Sequence, residues 1–179
     1  YNVADTYFVG RINTQSTAAV GIAFSMMSVV QAVGFFFGHG SGNFMSRSLG
    51  ARCVRRAQMM ATTGLVLSWM TGCVVAIIGL AFLEPIAIGL GSTPTILPYA
   101  KDYLGIVLLG VPFMTTSFTL NNQMRFQGNA MYAMFGVLSG AVLNILLDPL
   151  LIFSFDMGIH GAAMATLISQ VVGFLILFR

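Results

Sequence analysis

Hydrophobic residues dominate this chain in five long stretches that polar residues rarely interrupt. The stretches cover residues 17–45, 57–83, 103–124, 130–153 and 161–178. Each is long enough to cross a bilayer as a helix, which takes about 20 mostly apolar residues. In lipid, any open structure would leave its backbone groups unpaired. The pattern therefore predicts an all-α, polytopic membrane bundle with five complete transmembrane helices.

The two ends of the chain favour a larger protein. Residues 1–9 are typical of the outer end of a helix whose start is missing, and the chain stops abruptly at Arg179. We therefore expect residues 1–179 to be the N-terminal bundle of a longer polypeptide, with a truncated first helix before the five spans. Its main protein partner would be a C-terminal bundle of the same polypeptide, and its surroundings would be membrane lipid.

Composition excludes a soluble domain. Hydrophobic residues make up 57% of the chain, charged residues only 7%, and the mean hydropathy is +0.88. A soluble domain carries about a quarter of its residues as charges. Here the charged residues are confined to a few short segments between the apolar stretches.

One basic segment predicts the orientation of the chain. The sequence SRSLGARCVRRAQ carries Arg47, Arg52, Arg55 and Arg56. Loops rich in arginine and lysine stay on the cytoplasmic side, so we expect this loop there, in a multi-pass protein of the plasma membrane. Such a cluster could instead bind nucleic acid, but its place between two spans favours the topological explanation. We expect no nucleic-acid partner.

Cysteine chemistry contributes little to the prediction. Cys53 lies in the basic loop and Cys73 lies near the middle of the next span, about 30 Å away at the rise of an α-helix. A disulfide between them is therefore excluded. With no other cysteine or histidine at ligand spacing, we expect no cofactor and no metal site built on these residues.

An acid within the fourth apolar stretch is the most informative residue. Asp148 lies in SGAVLNILLDPLLIF, with Asn144 one helical turn before it on the same face and Pro149 directly after it. Carboxylates at membrane depth are costly and mark ion or proton pathways. Because proline removes a backbone donor, the turn beside Asp148 should be loosened. The alternative is that Asp148 and Asn144 only bond neighbouring helices together.

Two further polar residues are predicted at a similar depth. Counting from the outer ends of their helices, Asp5 lies about 7 Å deep and Thr166 about 10 Å deep, close to Asp148 at about 10 Å. Two carboxylates, an amide and a hydroxyl could therefore converge on one polar pocket. Alternatively, Asp5 caps a helix end and Thr166 is an ordinary packing residue.

Several segments, in chain order, resemble the MATE (multidrug and toxic compound extrusion) family. The family's first and second helices are similar to YNVADTYFVG and GHGSGNFMSRSLGA, and the end of its fourth is similar to RFQGN at residues 125–129. Its fifth and sixth helices are similar to NILLDPLLIF and MGIHGAAMATLISQ. The spacing of Asn144, Asp148 and Pro149 is the most specific element. The SRSLGA segment resembles the bacterial DinF-like branch.

This resemblance implies a transporter with about twelve helices in two bundles around a central cavity. It implies antiport, in which Na⁺ or H⁺ drives export of amphipathic, often cationic, small organic molecules. By the same resemblance, a cation site consists of Asp5, Asn144, Asp148 and Thr166. Tyr103 and Asn121 would line or adjoin the substrate cavity.

Two other functions were weighed against transport of drugs. A flippase for lipid-linked oligosaccharides would share the architecture, but basic residues would be expected in its cavity, and no Lys or Arg lies mid-span. An intramembrane hydrolase would need GHGSGN as its nucleophile motif. His39 stands where the G-x-S-x-G pattern needs glycine, and it lies far from the acids. We therefore expect no enzymatic activity.

Proline and glycine mark the candidate sites of bending. Pro112 and Pro149 interrupt two of the predicted helices. A glycine series in the first complete span could bend that helix, although close helix packing is the favoured explanation. The series consists of Gly34, Gly38, Gly40 and Gly42.

Overall fold

The computed structural model describes residues 2–179, and within them it is built of helices. In chain order these are α1 (Asn2–Val9), α2 (Thr14–Gly50), α3 (Val54–Ala81), α4 (Leu83–Gly89), α5 (Leu97–Leu109), α6 (Val111–Phe126), α7 (Ala130–Pro149) and α8 (Ile159–Phe178). A π-helical turn, Leu150–Ser154, extends α7.

The predicted all-α membrane architecture is confirmed, with four to five candidate spans among the described residues. Four helical segments are long and apolar enough to cross a membrane: α2, α3, α7 with its π-helical turn, and α8. The fifth span is the pair α5 and α6, which are bent by 52° at their junction. The first complete span is one continuous helix of 37 residues. It begins where the Asn13 side chain accepts a hydrogen bond from the Ser16 N–H at 2.7 Å.

The basic segment is mostly helical, and the loop expected between Arg47 and Arg56 is confined to a short connection. Only residues 51–53 separate α2 from α3, which leaves Arg47 in the last turn of α2 and Arg55 in the first turn of α3. Arg52 takes a left-handed conformation with φ of 59°. The Cys53 N–H returns to the Ser48 carbonyl at 2.8 Å, which closes this tight connection.

The third predicted span differs from the structure in both its start and its shape. Its helix begins at Leu97 instead of residue 103, and it breaks at Gly110. Pro112, in the first turn of α6, has no N–H for the Leu108 carbonyl, so a regular helix cannot continue through this point. The short helix α4 occupies the predicted outer loop before this span.

Three glycines of α2 allow a close contact with α6. A Cβ atom added to Gly34 would lie 2.7 Å from the Phe118 Cβ, and one added to Gly38 would lie 2.8 Å from the Asn122 Cβ. Gly42 makes an equally close approach to the Phe126 ring. The glycines therefore permit close packing of α2 against α6, the explanation favoured from the sequence.

Buried hydroxyl and amide groups join the same two helices to α3. Thr119 donates to the Ser68 Oγ at 2.8 Å and lies 3.3 Å from the Gly34 carbonyl. Gln123 donates to the Ser41 Oγ at 2.9 Å and to the Ala61 carbonyl at 3.2 Å. With glycines allowing close approach and these bonds satisfying the polar groups, α2, α3 and α6 form one tightly joined unit.

We predict that Gly34→Ala destabilises the bundle, because the new methyl group would also lie 3.1 Å from the Thr115 carbonyl oxygen of the backbone. Overpacking of this kind costs about 1–3 kcal/mol. Gly40→Ala on the same helix is the matched control, since a Cβ there meets nothing within 4 Å. The thermal midpoint of the detergent-solubilised full-length protein should fall for Gly34→Ala only. Equal midpoints for the two variants would contradict the packing explanation.

Candidate functional site

A carboxylate with no solvent exposure lies at the meeting point of four helices. Asp5, on α1, is 0% exposed. Its Oδ2 accepts hydrogen bonds from the Tyr103 hydroxyl of α5 at 2.5 Å and from the Thr166 hydroxyl of α8 at 2.6 Å. Its Oδ1 accepts from the Asn144 amide of α7 at 3.3 Å. Asp5 is therefore a buried acceptor for three donors and does not cap a helix end.

The second carboxylate lies beside the first and shares one of its donors. Asp148, one turn after Asn144 on α7, is also 0% exposed. Its Oδ1 lies 3.3 Å from the Asn144 Nδ2, the same atom that donates to Asp5. A single amide group therefore connects two buried carboxyl groups, one on α1 and one on α7.

Two oxygen atoms at this site have no hydrogen-bond partner within the described chain. They are the Asn144 Oδ1 and the Asp148 Oδ2, and both are buried. A buried polar atom without a partner costs roughly 1–3 kcal/mol, and more when it is charged. Oxygen acceptors in this state suit a proton or a hard cation such as Na⁺. The described residues contain no cluster of three or more His, Cys, Asp or Glu side chains.

The backbone around Pro149 brings α8 close to the two acids. Helix α7 continues through Pro149 and then widens into the π-helical turn, as the predicted loosening beside Asp148 requires. A Cβ added to Gly161 would lie 2.7 Å from the Leu151 carbonyl oxygen, so only a glycine lets α8 start against this turn. That contact places the first turns of α8, and with them Thr166, beside Asp5.

The break between α5 and α6 positions Tyr103. At the break, the Gly110 N–H bonds to the Val107 carbonyl at 2.9 Å, which tightens the last turn of α5. The Gln170 side chain of α8 fills the space beside Gly110, where a Cβ atom would overlap its Oε1. Because α5 leans on α8 at this contact, the Tyr103 hydroxyl and the Thr166 hydroxyl reach the same oxygen of Asp5.

The structure brings together all four residues predicted for the cation site. It also brings Tyr103 into direct contact with Asp5, a role that the sequence did not indicate, since a single tyrosine in an apolar span carries no local signal. Asn121 lies elsewhere: its amide donates to the Ala133 carbonyl at 2.8 Å and joins α6 to α7. A place for Tyr103 and Asn121 along a substrate cavity stays a prediction.

Charged residues flank the site at the end opposite the arginines. Lys101 pairs with Glu84 at 3.1 Å, and His160 lies 3.5 Å from the Asp102 carboxylate. About half of each of these side chains is exposed, so the pairs contribute little to stability.

The chain is similar to known transporters over nearly its whole length. The MatE family model matches residues 1–150. The multidrug export protein MepA of Staphylococcus haemolyticus (strain JCSC1435) is 34% identical over 173 residues, which cover 96% of this chain and 38% of that protein. The chain thus spans about two fifths of the length of its curated relatives.

Solved structures of MATE transporters are also similar to this chain over part of their length. An inward-facing multidrug resistance MATE transporter of the MOP superfamily superimposes with a TM-score of 0.95 at 31% identity. A MATE in the bent conformation superimposes with a TM-score of 0.93 at 32% identity. In both cases the match covers 99% of this chain and 40% of the solved chain.

We predict that substitutions of Gly110 and Gln170, which are in contact, have non-additive effects on stability. Gly110→Ala should lower the thermal midpoint of the full-length protein in detergent, because the new methyl group displaces the Gln170 amide. Gln170→Ala removes the side chain that the new methyl group would meet. The double variant should therefore lose less stability than the sum of the losses in the two single variants, by at least about 0.5 kcal/mol. Strict additivity of the two effects would show that the two side chains are not coupled.

Proposed function

Since the chain belongs to the MatE family, we propose that it is the N-terminal bundle of a cation-coupled antiporter that exports amphipathic, often cationic, small organic molecules. The chain is a multi-pass segment of a plasma-membrane protein. In the proposed orientation, the arginine-rich connection between α2 and α3 faces the cytoplasm. The C-terminal bundle of the same polypeptide would supply the rest of the transport path. Membership of the DinF-like branch stays a prediction.

The observation that carries the proposal is the unpaired Asp148 Oδ2, buried beside a second carboxylate. An ionised carboxyl group in this setting is stable only if a cation or a proton joins it. Asp148 and Asp5 together offer negative charge, while Asn144 and Thr166 offer neutral oxygen atoms. This set suits either Na⁺ or H⁺ as the coupling ion, because both bind to hard oxygen donors.

Binding of the ion would compete with hydrogen bonds that hold the helices together. The donors from α5 and α8 both use Asp5 Oδ2, and the α7 amide uses Oδ1. A cation or proton on Asp5 takes up lone pairs that these donors now use. Loading the site therefore changes how α1 is held by its neighbours. An ion shifts a conformational equilibrium only if it binds the two states with different affinity, and this exchange of partners provides such a difference.

Export of the organic molecule would use the same change in the opposite direction. The coupling ion would favour the state in which the molecule is released outside, and the organic molecule would favour the state in which the ion is released inside. Each ligand shifts the population only by its own preference for one state. The chain needs no chemical step for this function, which makes it a transporter component and not an enzyme.

The two alternatives find less support in the described residues. No Lys or Arg side chain occurs mid-span, where a flippase for lipid-linked oligosaccharides would need charges for the pyrophosphate. The nominal nucleophile of a hydrolase, Ser41, is buried and donates to the Phe37 carbonyl at 2.6 Å. His39 contacts the Phe35 carbonyl of its own helix at 3.0 Å, so no base addresses the serine.

We predict that Asp148→Asn abolishes coupling. The amide has the shape of the carboxyl group without its negative charge, so it holds no transferable proton and offers Na⁺ only a neutral oxygen atom. Drug efflux by the full-length protein in inverted vesicles should fall at least tenfold at matched expression. A Na⁺ gradient and a proton gradient, imposed separately, identify the ion by the response of the wild type.

Asp102→Asn is the matched control, because Asp102 is a half-exposed acid at the outer end. It should export at the rate of the wild type. If Asp148→Asn also exports at that rate under either gradient, Asp148 is structural and the ion-site proposal is wrong.

We predict that Thr166→Val reduces efflux about tenfold, while Thr166→Ser stays within about threefold of the wild type. Valine has the volume of threonine but gives no oxygen to an ion and no donor to Asp5, and the serine hydroxyl restores both. The same vesicle assay measures the two variants side by side. If the valine variant exports at the rate of the wild type, Thr166 is only a packing residue.

A further inference from the structure

A cavity at the arginine-rich end is separate from the buried acids. It has a volume of about 260 Å³ and lies between the end of α2 and the start of α3. Its lining residues are Phe44, Arg47, Ser48, Ala51, Cys53 and Arg56. Two arginines from two different helices therefore border one space, at the level where the apolar part of the span ends.

The two arginines have no acidic partner within the described chain. All five acids of the sequence (Asp5, Glu84, Asp102, Asp148 and Asp156) lie in the site or toward the outer end. The ion pairs of the described residues are likewise confined to the outer end. Positive charge at this cavity is therefore not neutralised by the described protein, which favours an anionic ligand.

The cavity also contains a polar group that lacks a partner. Ser48 is only 8% exposed, and within the described chain its hydroxyl group makes no hydrogen bond, although its carbonyl accepts from Cys53. Helix α3, of 28 residues, starts beside it without a side-chain cap. The hydroxyl group of this mostly buried serine, an uncapped helix start and two guanidinium groups together present donors to one space.

We propose that this cavity binds the phosphate group of an anionic phospholipid on the cytoplasmic side of the membrane. Arg47 and Arg56 would contact the phosphate oxygens, and the Ser48 hydroxyl would donate to a third oxygen. The ligand chemistry, a phosphate with net negative charge, is shared with free inorganic phosphate. The surroundings of the cavity decide between these two sources.

One large apolar side chain of the cavity lining is exposed. Phe44, which lines the cavity one turn before Ser48, is 41% exposed. A free phosphate ion gains nothing from this side chain. The acyl chain of a lipid whose headgroup occupies the cavity would cover it, as expected for basic pockets at the cytoplasmic boundary. This inference does not depend on cation coupling.

The test measures lipid binding to the full-length protein in detergent, with a fluorescent phosphatidylglycerol as the probe. Arg47→Gln and Arg56→Gln should each weaken binding about fivefold, and the double variant about twentyfold or more. Arg55→Gln is the matched control, because Arg55 lies on the same turn of α3 and does not line the cavity. It should bind within about twofold of the wild type.

Two further variants separate a specific site from general attraction. Arg47→Lys keeps the charge and should recover most of the affinity lost in Arg47→Gln. Ser48→Ala leaves the net charge unchanged and should still weaken binding about threefold, which attraction to a charged surface alone would not produce. All these positions except Ser48 are exposed, and monodisperse elution of every variant confirms that it is folded.

Three results would overturn the proposal. The first is a double variant that binds phosphatidylglycerol as tightly as the wild type, or an Arg55→Gln control that loses as much. The second is phosphatidylcholine binding with equal affinity, which would show that net negative charge is not recognised. The third is full displacement of the probe by millimolar inorganic phosphate, which would assign the cavity to a soluble ion.

Discussion

The structure depends above all on the burial of the Asp5 carboxylate among donors from three other helices. Burying this charge is costly, and the hydroxyl groups of Tyr103 and Thr166 and the Asn144 amide offset the cost. These bonds join helix α1 to α5, α7 and α8, in addition to the packing of Val9 in the hydrophobic core. The remaining cost lies in the unpaired Asp148 Oδ2. The same atoms that hold the helices together are therefore the ones that a proton or a cation would claim.

The bundle divides into two parts with different polar chemistry. In the unit formed by α2, α3 and α6, glycines allow close contact, and Thr119 and Gln123 bond across the helices, although the Ser117 Oγ of α6 has no partner within the described chain. Around the acids, α1, α5, α7 and α8 meet through groups that share donors and leave acceptors unpaired. Satisfied polar contacts stabilise one arrangement, whereas incompletely satisfied contacts permit alternatives. Movement driven by ion binding is thus expected among the helices around the acids, with the three-helix unit as the fixed reference.

Much of this arrangement could be predicted from the sequence, and the reasons for the failures are physical. Long apolar runs predict the spans, because a helix bonds its own backbone groups in lipid. An acid such as Asp148 within such a run stands out because a charge at membrane depth is costly. The contact of Tyr103 with Asp5 could not be predicted, because it joins residues 98 positions apart and depends on the tilt of α5. That tilt arises at Gly110, where a glycine, a proline two residues later and a glutamine from another helix act together. The sequence shows the proline but not the neighbour that fills the bend.

The bend also explains how the two parts of the bundle are connected. Helix α5 carries Tyr103 into the acidic site, and α6, its direct continuation, belongs to the three-helix unit. At the junction the chain lacks the hydrogen bond that Pro112 cannot make, so the angle there is held by tertiary contacts, chiefly the Gln170 side chain against Gly110. Gln170 lies one turn after Thr166 on α8, which places both on the same face of that helix. A change of partners at Asp5 therefore acts on α5 and α8 together, and the weakly bonded junction is the point where their displacement can be absorbed without disturbing the packing of α6.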